Sequence, residues 1–101
     1  MNTRLRIEIT ADARTQISTA AAWWSKNRPA APDAIRDELD RTLELLRAQP
    51  AIGTVARHAT LPGVRRVTLT RVRYYVYYRV AGDALQVLAF WHSSRGSEPR
   101  M

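Results

Sequence analysis

The residues with the clearest chemical potential lie in the last third of the chain. His92 and Arg95 follow a long apolar run, and a segment rich in arginine and tyrosine precedes that run. Arginines and an imidazole are suited to metal-free cleavage of RNA, because RNA carries its own 2′-hydroxyl nucleophile and needs only a base, an acid and cations from the protein. The same residues are equally suited to holding an anionic partner without cutting it. Both interpretations stay open from the residues alone.

The tyrosine-rich segment, RVRYYVYYRV at residues 71–80, predicts a β-strand with two different faces. Read with a period of two, one face carries Tyr74, Val76, Tyr78 and Val80 and suits a core. The other face carries arginine and tyrosine and predicts a solvent-facing stripe beside His92, although such residues are also common on the wet side of an antiparallel sheet. The residues that we predict to contact a partner are Arg65, Arg66, Arg73, Tyr75, Tyr77, Arg79 and Arg95.

The charge of the chain favours an anionic partner. Its formal net charge is +7 and its isoelectric point is near 11.0. Residues 51–101 hold eight arginines against two acidic residues, Asp83 and Glu98, so the second half is the basic pole. A metal-dependent hydrolase needs more carboxylate or imidazole ligands than this half offers, and His58 stands alone in a loop. We therefore expect neither a metal nor a cofactor.

The sequence also bears on the compartment. The chain has no cysteine, and no apolar run approaches the roughly 20 residues of a membrane span. Its first residues, MNTRLRIEIT, lack the apolar centre of a signal peptide. We expect a cytoplasmic protein that does not act at a membrane.

The elements that must position these residues follow from the periodicity of apolar side chains. Alternation over residues 4–9 predicts a strand, and Thr10 can cap the helix that follows. Apolar steps of three and four predict helices over residues 11–27 and from Pro32 to Pro50, folded into a hairpin by the short segment between them. An antiparallel meander is predicted over residues 64–70, 73–80 and 84–91.

Together these elements predict one α+β domain over residues 1–101, with a single small sheet packed against the helical hairpin. We expect residues 51–63 to form a surface loop and the tail from about residue 97 to be flexible. Trp23 and Trp24 near the bend are interpreted as packing residues. The predicted core consists of Leu5, Ile7, Ile9, Ile17, Trp24, Leu39, Leu43, Leu46, Val67, Leu69, Val76, Tyr78, Val87 and Leu88.

The order of strand, helical hairpin and meander, closed by RVRYYVYYRVAGDALQVLAFWHSSRG, resembles the RelE/ParE family of type II toxin–antitoxin toxins. The segment AAWWSKNRPAAPDAIRDELDRTLELLRAQPAIG, the AGDA turn and the H-x-x-R after the last strand extend the resemblance over nearly the whole chain. It implies a small antiparallel sheet wrapped by the hairpin. It also implies a cognate antitoxin whose flexible segment lies along the toxin, and therefore a toxin–antitoxin hetero-oligomer.

The resemblance implies one of two activities. ParE-like members inhibit DNA gyrase without catalysing a reaction, whereas RelE-like members are metal-independent endoribonucleases that cut mRNA on the ribosome. Arg71, His92 and Arg95 occupy places comparable to the catalytic groups of the second branch. However, Thr70 stands where RelE has arginine, no tyrosine follows Tyr78, and the tail is too short for the extra helix of some ribonucleases. These departures favour the ParE-like branch, with the ribonuclease as the alternative and a non-toxic antitoxin-binding relic as a third hypothesis.

Overall fold

A computed structural model describes residues 4–101, and it has the predicted α+β architecture with one open, five-stranded sheet. The sheet order is β1-β5-β4-β3-β2, with β1 parallel to β5 and all other neighbours antiparallel. The elements are β1 (Arg6–Ile9), α1 (Ala11–Asn27), α2 (Ala34–Ala48), a 3-10 turn (Pro50–Ile52), β2 (Thr54–Val55), β3 (Arg65–Leu69), β4 (Tyr74–Ala81) and β5 (Ala84–His92).

The first helix begins where the sequence predicts. The Oγ1 atom of Thr10 accepts a hydrogen bond from Ala13 N at 3.2 Å, which caps α1, and Asp12 lies in its first turn. Its buried side is formed by Ala13, Ile17 and Ala20. Because these side chains are mostly small, α1 lies close to β5, and the sheet face beside it can carry the larger residues.

The second helix begins later than the sequence predicts. Pro32 lies in the preceding turn rather than at the first helical position, and Asp33 is the N-cap, without a side-chain capping bond. The reason is a tight turn in which Ala34 N donates to Ala31 O at 3.2 Å, while the same carbonyl accepts Trp24 Nε1 at 2.9 Å. This carbonyl therefore ties the interhelical segment to α1 and delays the start of α2.

The main core lies between the hairpin and one face of the sheet, as predicted. Of the predicted core, eight residues are fully buried there and five pack partly buried against them. Leu88 is the exception, because it packs on the opposite face of the sheet. Additional buried members of this core are Ala34, Ile35, Val72, Leu85 and Phe90.

A β-bulge explains the position of Leu88. Tyr77 pairs with Ala89 but its neighbour Tyr78 pairs with Val87, so Leu88 is an extra residue in β5. The bulge shifts the alternation of β5, which places Val87 and Phe90 on the core face. The sequence from 84 to 91 is apolar on both faces and therefore gives no sign of this shift.

The outer face of the sheet carries a second, smaller core that the sequence did not predict. Val64, Tyr77 and Ala89 are buried there beneath Ala56, Ala59, Leu61 and Met101. Tyr77 is only 1% exposed. The expected solvent-facing stripe of Arg73, Tyr75, Tyr77 and Arg79 is therefore wrong, because residues 56–61 cover its centre and Arg73 belongs to a turn rather than to the strand.

The segments beyond the predicted elements make regular backbone pairing and tertiary contacts that the sequence did not predict. Residues 51–63, expected to be a surface loop, contain most of the 3-10 turn and all of β2, which pairs with β3. Residues 97–101 contact the segment around His58 and Thr60. The mobility of this tail and the one-domain extent of residues 1–101 stay predictions. Within residues 4–101, neither helix has the length and hydropathy needed to cross a membrane.

Candidate functional site

A groove of about 950 Å³ lies between α1, the turn from β3 to β4, and the segment that follows β5. It brings together four of the residues selected from the sequence, which are far apart in the chain: Arg71, Arg73, His92 and Arg95. The other predicted contact residues, Arg65, Arg66, Tyr75, Tyr77 and Arg79, do not line it. The predicted residues thus separate into two groups on different parts of the molecule.

The turn that carries Arg71 and Arg73 is held by backbone and side-chain contacts. Arg73 N donates to Leu69 O at 2.8 Å, and Arg73 adopts a positive φ of 63°. Val72 is buried and anchors the turn in the core. Arg71 N lies 3.4 Å from the carboxylate of Glu38 on α2, whose Oε1 is buried without a hydrogen-bond partner in the described chain. A non-glycine residue with positive φ is uncommon, so this turn is a constrained element.

The end of β5 is linked to the same turn. Ser93 N donates to Arg73 O at 2.9 Å, and Arg95 N donates to His92 O at 3.1 Å. The guanidinium of Arg95 stacks on Trp91, with Cζ 3.6 Å from the ring centroid. These contacts give the backbone around His92 and Arg95 a defined position relative to Arg71 and Arg73.

His92 is held through its Nδ1 atom. Ser94 N lies 3.1 Å from Nδ1 and Ser94 Oγ lies 2.7 Å from the same atom. A backbone N–H can only donate, so Nδ1 must carry a lone pair, and a neutral ring must then bear its hydrogen on Nε2. In this arrangement Nδ1 is already occupied by Ser94, and Nε2 can donate a hydrogen bond but cannot accept a proton.

The floor of the groove is aromatic. Tyr74 stacks on Phe90 with ring centroids 4.6 Å apart and nearly parallel planes. The rings of Tyr74 and His92 are nearly perpendicular, with centroids 4.9 Å apart. Burial raises the pKa of the Tyr74 phenol, and the charge of Arg95 offsets this in part. Tyr74 is therefore a neutral hydrogen-bonding group at physiological pH.

One wall of the groove comes from α1 and was missed by sequence reasoning. Trp23 is 49% exposed there, so its interpretation as a packing residue is wrong. Trp24 does pack against the core, and Arg28 Cζ lies 5.4 Å from the Trp23 ring and 5.8 Å from the Trp24 ring. Two adjacent residues on a helix face directions about 100° apart, which was the available signal that both could not enter one core.

The electrostatics of the groove are one-sided. Its charged lining is Arg28, Arg71, Arg73 and Arg95, with no aspartate or glutamate among the lining residues. Among residues 4–101, none of these four guanidiniums lies within ion-pair distance of a carboxylate. The groove therefore combines an aromatic floor with uncompensated positive charge, which suits an anionic or acidic partner.

Comparison with known proteins identifies the family. The sequence model described as the ParE toxin of the type II toxin–antitoxin system parDE matches residues 7–96. The chain belongs to the ParE toxin family. It is thus a toxin of a type II toxin–antitoxin system, as the sequence resemblance predicted. No curated protein gives a significant match to the chain.

The fold of this ParE-family toxin has a solved counterpart. A chain described as the chromosomal ParDE TA system from P. aeruginosa superposes with a TM-score of 0.70, at 20% sequence identity. The alignment covers 88% of the toxin and 96% of that chain. At this identity the match establishes the shared fold.

The remaining predicted contact residues of the toxin have structural partners. Arg65 Nη1 donates to Gly53 O at 2.7 Å, and the Arg66 guanidinium lies 4.1 Å from the centroid of Tyr75. Arg79 Nε donates to Gln86 at 2.9 Å, and Gln86 in turn donates to Glu8. Arg66 and Arg79 make these contacts on the outer face of the sheet, whereas Arg65 lies on the face of Val67 and Leu69. A role in partner binding stays a prediction for all three.

The described part of the toxin also lacks a cluster of three or more histidine, aspartate or glutamate side chains that could hold a metal ion. His58 and Glu98 form a pair at 3.1 Å, away from the groove. The groove itself offers guanidiniums, aromatic rings and one imidazole.

Proposed function

We propose that this toxin inhibits DNA gyrase by binding it, without catalysing a reaction, and that a cognate antitoxin neutralises the toxin. Membership of the ParE family supports the toxin role and implies an antitoxin partner. The gyrase target and the non-catalytic mode are the parts proposed here. The non-catalytic mode is supported by the Ser94–His92 contact in the groove.

The contact argues against general base catalysis by His92. A base must offer a free lone pair within hydrogen-bond reach of the proton that it removes. In His92 the Nδ1 lone pair receives the Ser94 backbone N–H, and the neutral ring bears its hydrogen on Nε2. Protonation of Nδ1 to make a general acid would break this bond. The groove residues other than His92 that bear charge are arginines, which stay protonated and cannot exchange a proton at neutral pH.

The groove is well suited to binding. Four guanidiniums without carboxylate partners can pair with acidic side chains, and the exposed Trp23 ring offers a large apolar contact. Arginine and tryptophan are the residue types most often found to dominate protein–protein binding energy. We therefore propose this groove as a surface that contacts the target or the antitoxin.

A ribosome-dependent mRNA endoribonuclease is the second candidate. The specific observation in its favour is that Arg71, His92 and Arg95 lie in one groove although they are distant in sequence. Arg71 and Arg95 could stabilise the charge of a phosphorane, and His92 Nε2 could donate a hydrogen bond to it. This activity would require a different group to accept the proton of the 2′-hydroxyl.

Two parallel assays separate the candidates. Purified toxin is added to gyrase with relaxed plasmid, and separately to translating ribosomes whose mRNA is analysed by primer extension. The proposal predicts loss of supercoiling with accumulation of cleaved gyrase–DNA complexes, while mRNA stays intact. Cuts in mRNA at codon spacing, together with normal supercoiling, would overturn it. Addition of the antitoxin should reverse the inhibition in either case, which verifies that the preparation is the active toxin.

A further inference from the structure

The outer face of the sheet, away from the groove, is closed by the last described residues. This strap, residues 97–101, is held through Ser97, Pro99 and Met101. Trp91 Nε1 donates to Ser97 O at 2.9 Å, and Thr60 donates to Met101 O from its backbone N at 2.7 Å and from Oγ1 at 2.6 Å. Pro99 is buried, and Met101 packs on the small core formed by Val64, Tyr77 and Ala89.

His58 lies at the centre of the contact and touches the strap through both ring nitrogens. Its Nδ1 is 3.1 Å from Glu98 Oε2, and its Nε2 is 3.2 Å from Pro99 O. A carboxylate and a carbonyl can only accept hydrogen bonds, whereas a neutral imidazole carries one hydrogen and can donate only one. Both contacts are satisfied as hydrogen bonds when the ring is doubly protonated.

We propose that closure of the strap over residues 56–61 is coupled to protonation of His58. In the closed state the imidazolium donates to Glu98 and to Pro99 O. When the ring releases its proton to solvent, one ring nitrogen keeps only a lone pair. That nitrogen then faces an oxygen of Glu98 or Pro99 with no hydrogen between them, and the strap loses its ion pair. Opening then withdraws Met101 from the small core around Tyr77, which residues 56–61 also cover.

Other charged and titratable groups face the same cleft of about 390 Å³. Arg57 and Arg66 line it and oppose a positive charge on His58, whereas Glu98 favours that charge. The rings of Tyr77 and His58 are perpendicular, with centroids 5.5 Å apart, and Tyr77 lines the same cleft. His58 is therefore placed between one anion and two cations, with the anion in direct contact.

The sign of the effect follows from the linkage between proton binding and closure. In this proposal the closed strap binds one proton more than the open strap, so closure is favoured as pH falls through the titration range of the imidazole. As pH rises through that range, the ratio of closed to open strap should fall by up to about tenfold per pH unit, the limit for one linked proton.

The test uses two reporters of closure in the full chain, the Thr60 backbone amide and the Trp91 indole N–H, which are both hydrogen-bonded to the strap. Their resonances are followed by NMR from pH 5.5 to 8.5 together with the His58 ring. The proposal predicts that all three titrate with one midpoint. Thr60 and Trp91 resonances that stay unchanged over this range would overturn it.

Three variants sharpen the result. His58→Gln keeps a donor of similar length but cannot titrate, so the pH dependence of Thr60 should disappear, and its survival would contradict the proposal. His92→Gln removes the other histidine of the chain and should leave the Thr60 titration in place. Glu98→Gln changes an exposed side chain and should move the shared midpoint to lower pH. An unchanged midpoint in Glu98→Gln would show that the ion pair does not hold the strap. This result does not depend on whether the His58→Gln variant folds.

Discussion

Tyr78 and Gly53 are joined by a buried hydrogen bond that ties the middle of the sheet to the segment leaving α2. Gly53 N donates to Tyr78 Oη at 2.9 Å, and the same hydroxyl donates to Pro50 O at 2.7 Å. A Cβ atom on Gly53 would lie 2.5 Å from this hydroxyl and 2.9 Å from Arg66 O. The close approach explains why a glycine stands at this position although its φ of −67° is open to any residue.

Changing either partner should destabilise the toxin. Tyr78→Phe leaves Gly53 N and Pro50 O without their partner, which should lower the free energy of unfolding by about 1 to 3 kcal/mol. Gly53→Ala forces a backbone shift and should cost a similar amount, about 1 to 3 kcal/mol. Gly96→Ala is the matched control, because a Cβ there meets open space, and it should stay within about 0.5 kcal/mol. Urea unfolding measures all three, and equal effects at Gly53 and Gly96 would contradict this account.

The toxin should lose stability at alkaline pH. Burial raises the pKa of Tyr78, with partial offset from the Gly53 hydrogen bond and the charge of Arg65, and burial likewise raises the pKa of Tyr74. The folded protein therefore keeps these phenolic protons at pH values where the unfolded chain loses them, near pH 10. This contribution to stability is complete below about pH 10 and is lost as pH rises through the raised values. Urea unfolding from pH 8 to 11 should show the decline, and a smaller decline in Tyr78→Phe; an identical slope would contradict it.

Neighbouring leucines of α2 offer a direct test of the core. Leu46 is fully buried between the hairpin and the sheet, whereas Leu45 is 47% exposed on the same helix. Leu46→Ala should lower the free energy of unfolding by about 2 to 5 kcal/mol because it leaves a cavity in a close-packed region. Leu45→Ala removes the same atoms from a partly solvated site and should cost less than about 1 kcal/mol. Similar losses at both positions would show that the hairpin does not pack on the sheet in this orientation.

The sequence was most informative where burial imposes a period. The apolar faces of α2 and β4 are legible because Leu39, Leu43 and Leu46 repeat with the helix, and Val76 and Tyr78 with the strand. The end of β5 led to His92 and Arg95, and the family resemblance added Arg71; the structure places all three in one groove. Side chains that pack into one core recur with the period of their helix or strand, so these features can be predicted from the sequence alone.

The features that the sequence did not predict are those that produce no regular spacing of apolar residues. The bulge at Leu88 sits in a run that is apolar on both faces, so the shift in alternation is invisible. The positive φ of Arg73 places this residue in the turn, so β4 begins one residue later than predicted, although arginine gives no hint of such a turn. Tyr77 is covered by residues 56–61 and Met101, which are distant in sequence, and only a tertiary contact could reveal that. Trp23 differs from these cases, because its position next to Trp24 on one helix already indicated that both rings could not enter one core.

The antitoxin should associate with the groove in a manner that depends on salt. Arg28 and Arg71 carry charges that no carboxylate neutralises within residues 4–101, and such charges steer an acidic partner during encounter. The double change Arg28→Ala with Arg71→Ala should slow association by about tenfold at low salt and weaken its salt dependence. Stopped-flow mixing with the cognate antitoxin measures this.

The control for that experiment keeps the same change in net charge. Arg36→Ala with Arg41→Ala removes two exposed arginines of α2 that do not line the groove. This variant should reduce association by no more than about twofold, since the lost charges lie away from the docking surface. Equal slowing by the two double variants would mean that net charge, and not the groove, attracts the antitoxin.

The central claim, inhibition of gyrase by binding and not by catalysis, is tested most directly by titration of toxin against supercoiling at several fixed gyrase concentrations. A binding inhibitor is consumed in the complex, so at high gyrase concentration the toxin needed for half inhibition should rise in proportion to the gyrase present. His92→Ala should give the same titration curve within about threefold, whereas loss of a general acid or base costs at least about 100-fold. Supercoiling that persists with toxin in excess, or inhibition by toxin far below the gyrase concentration and abolished in His92→Ala, would contradict the account.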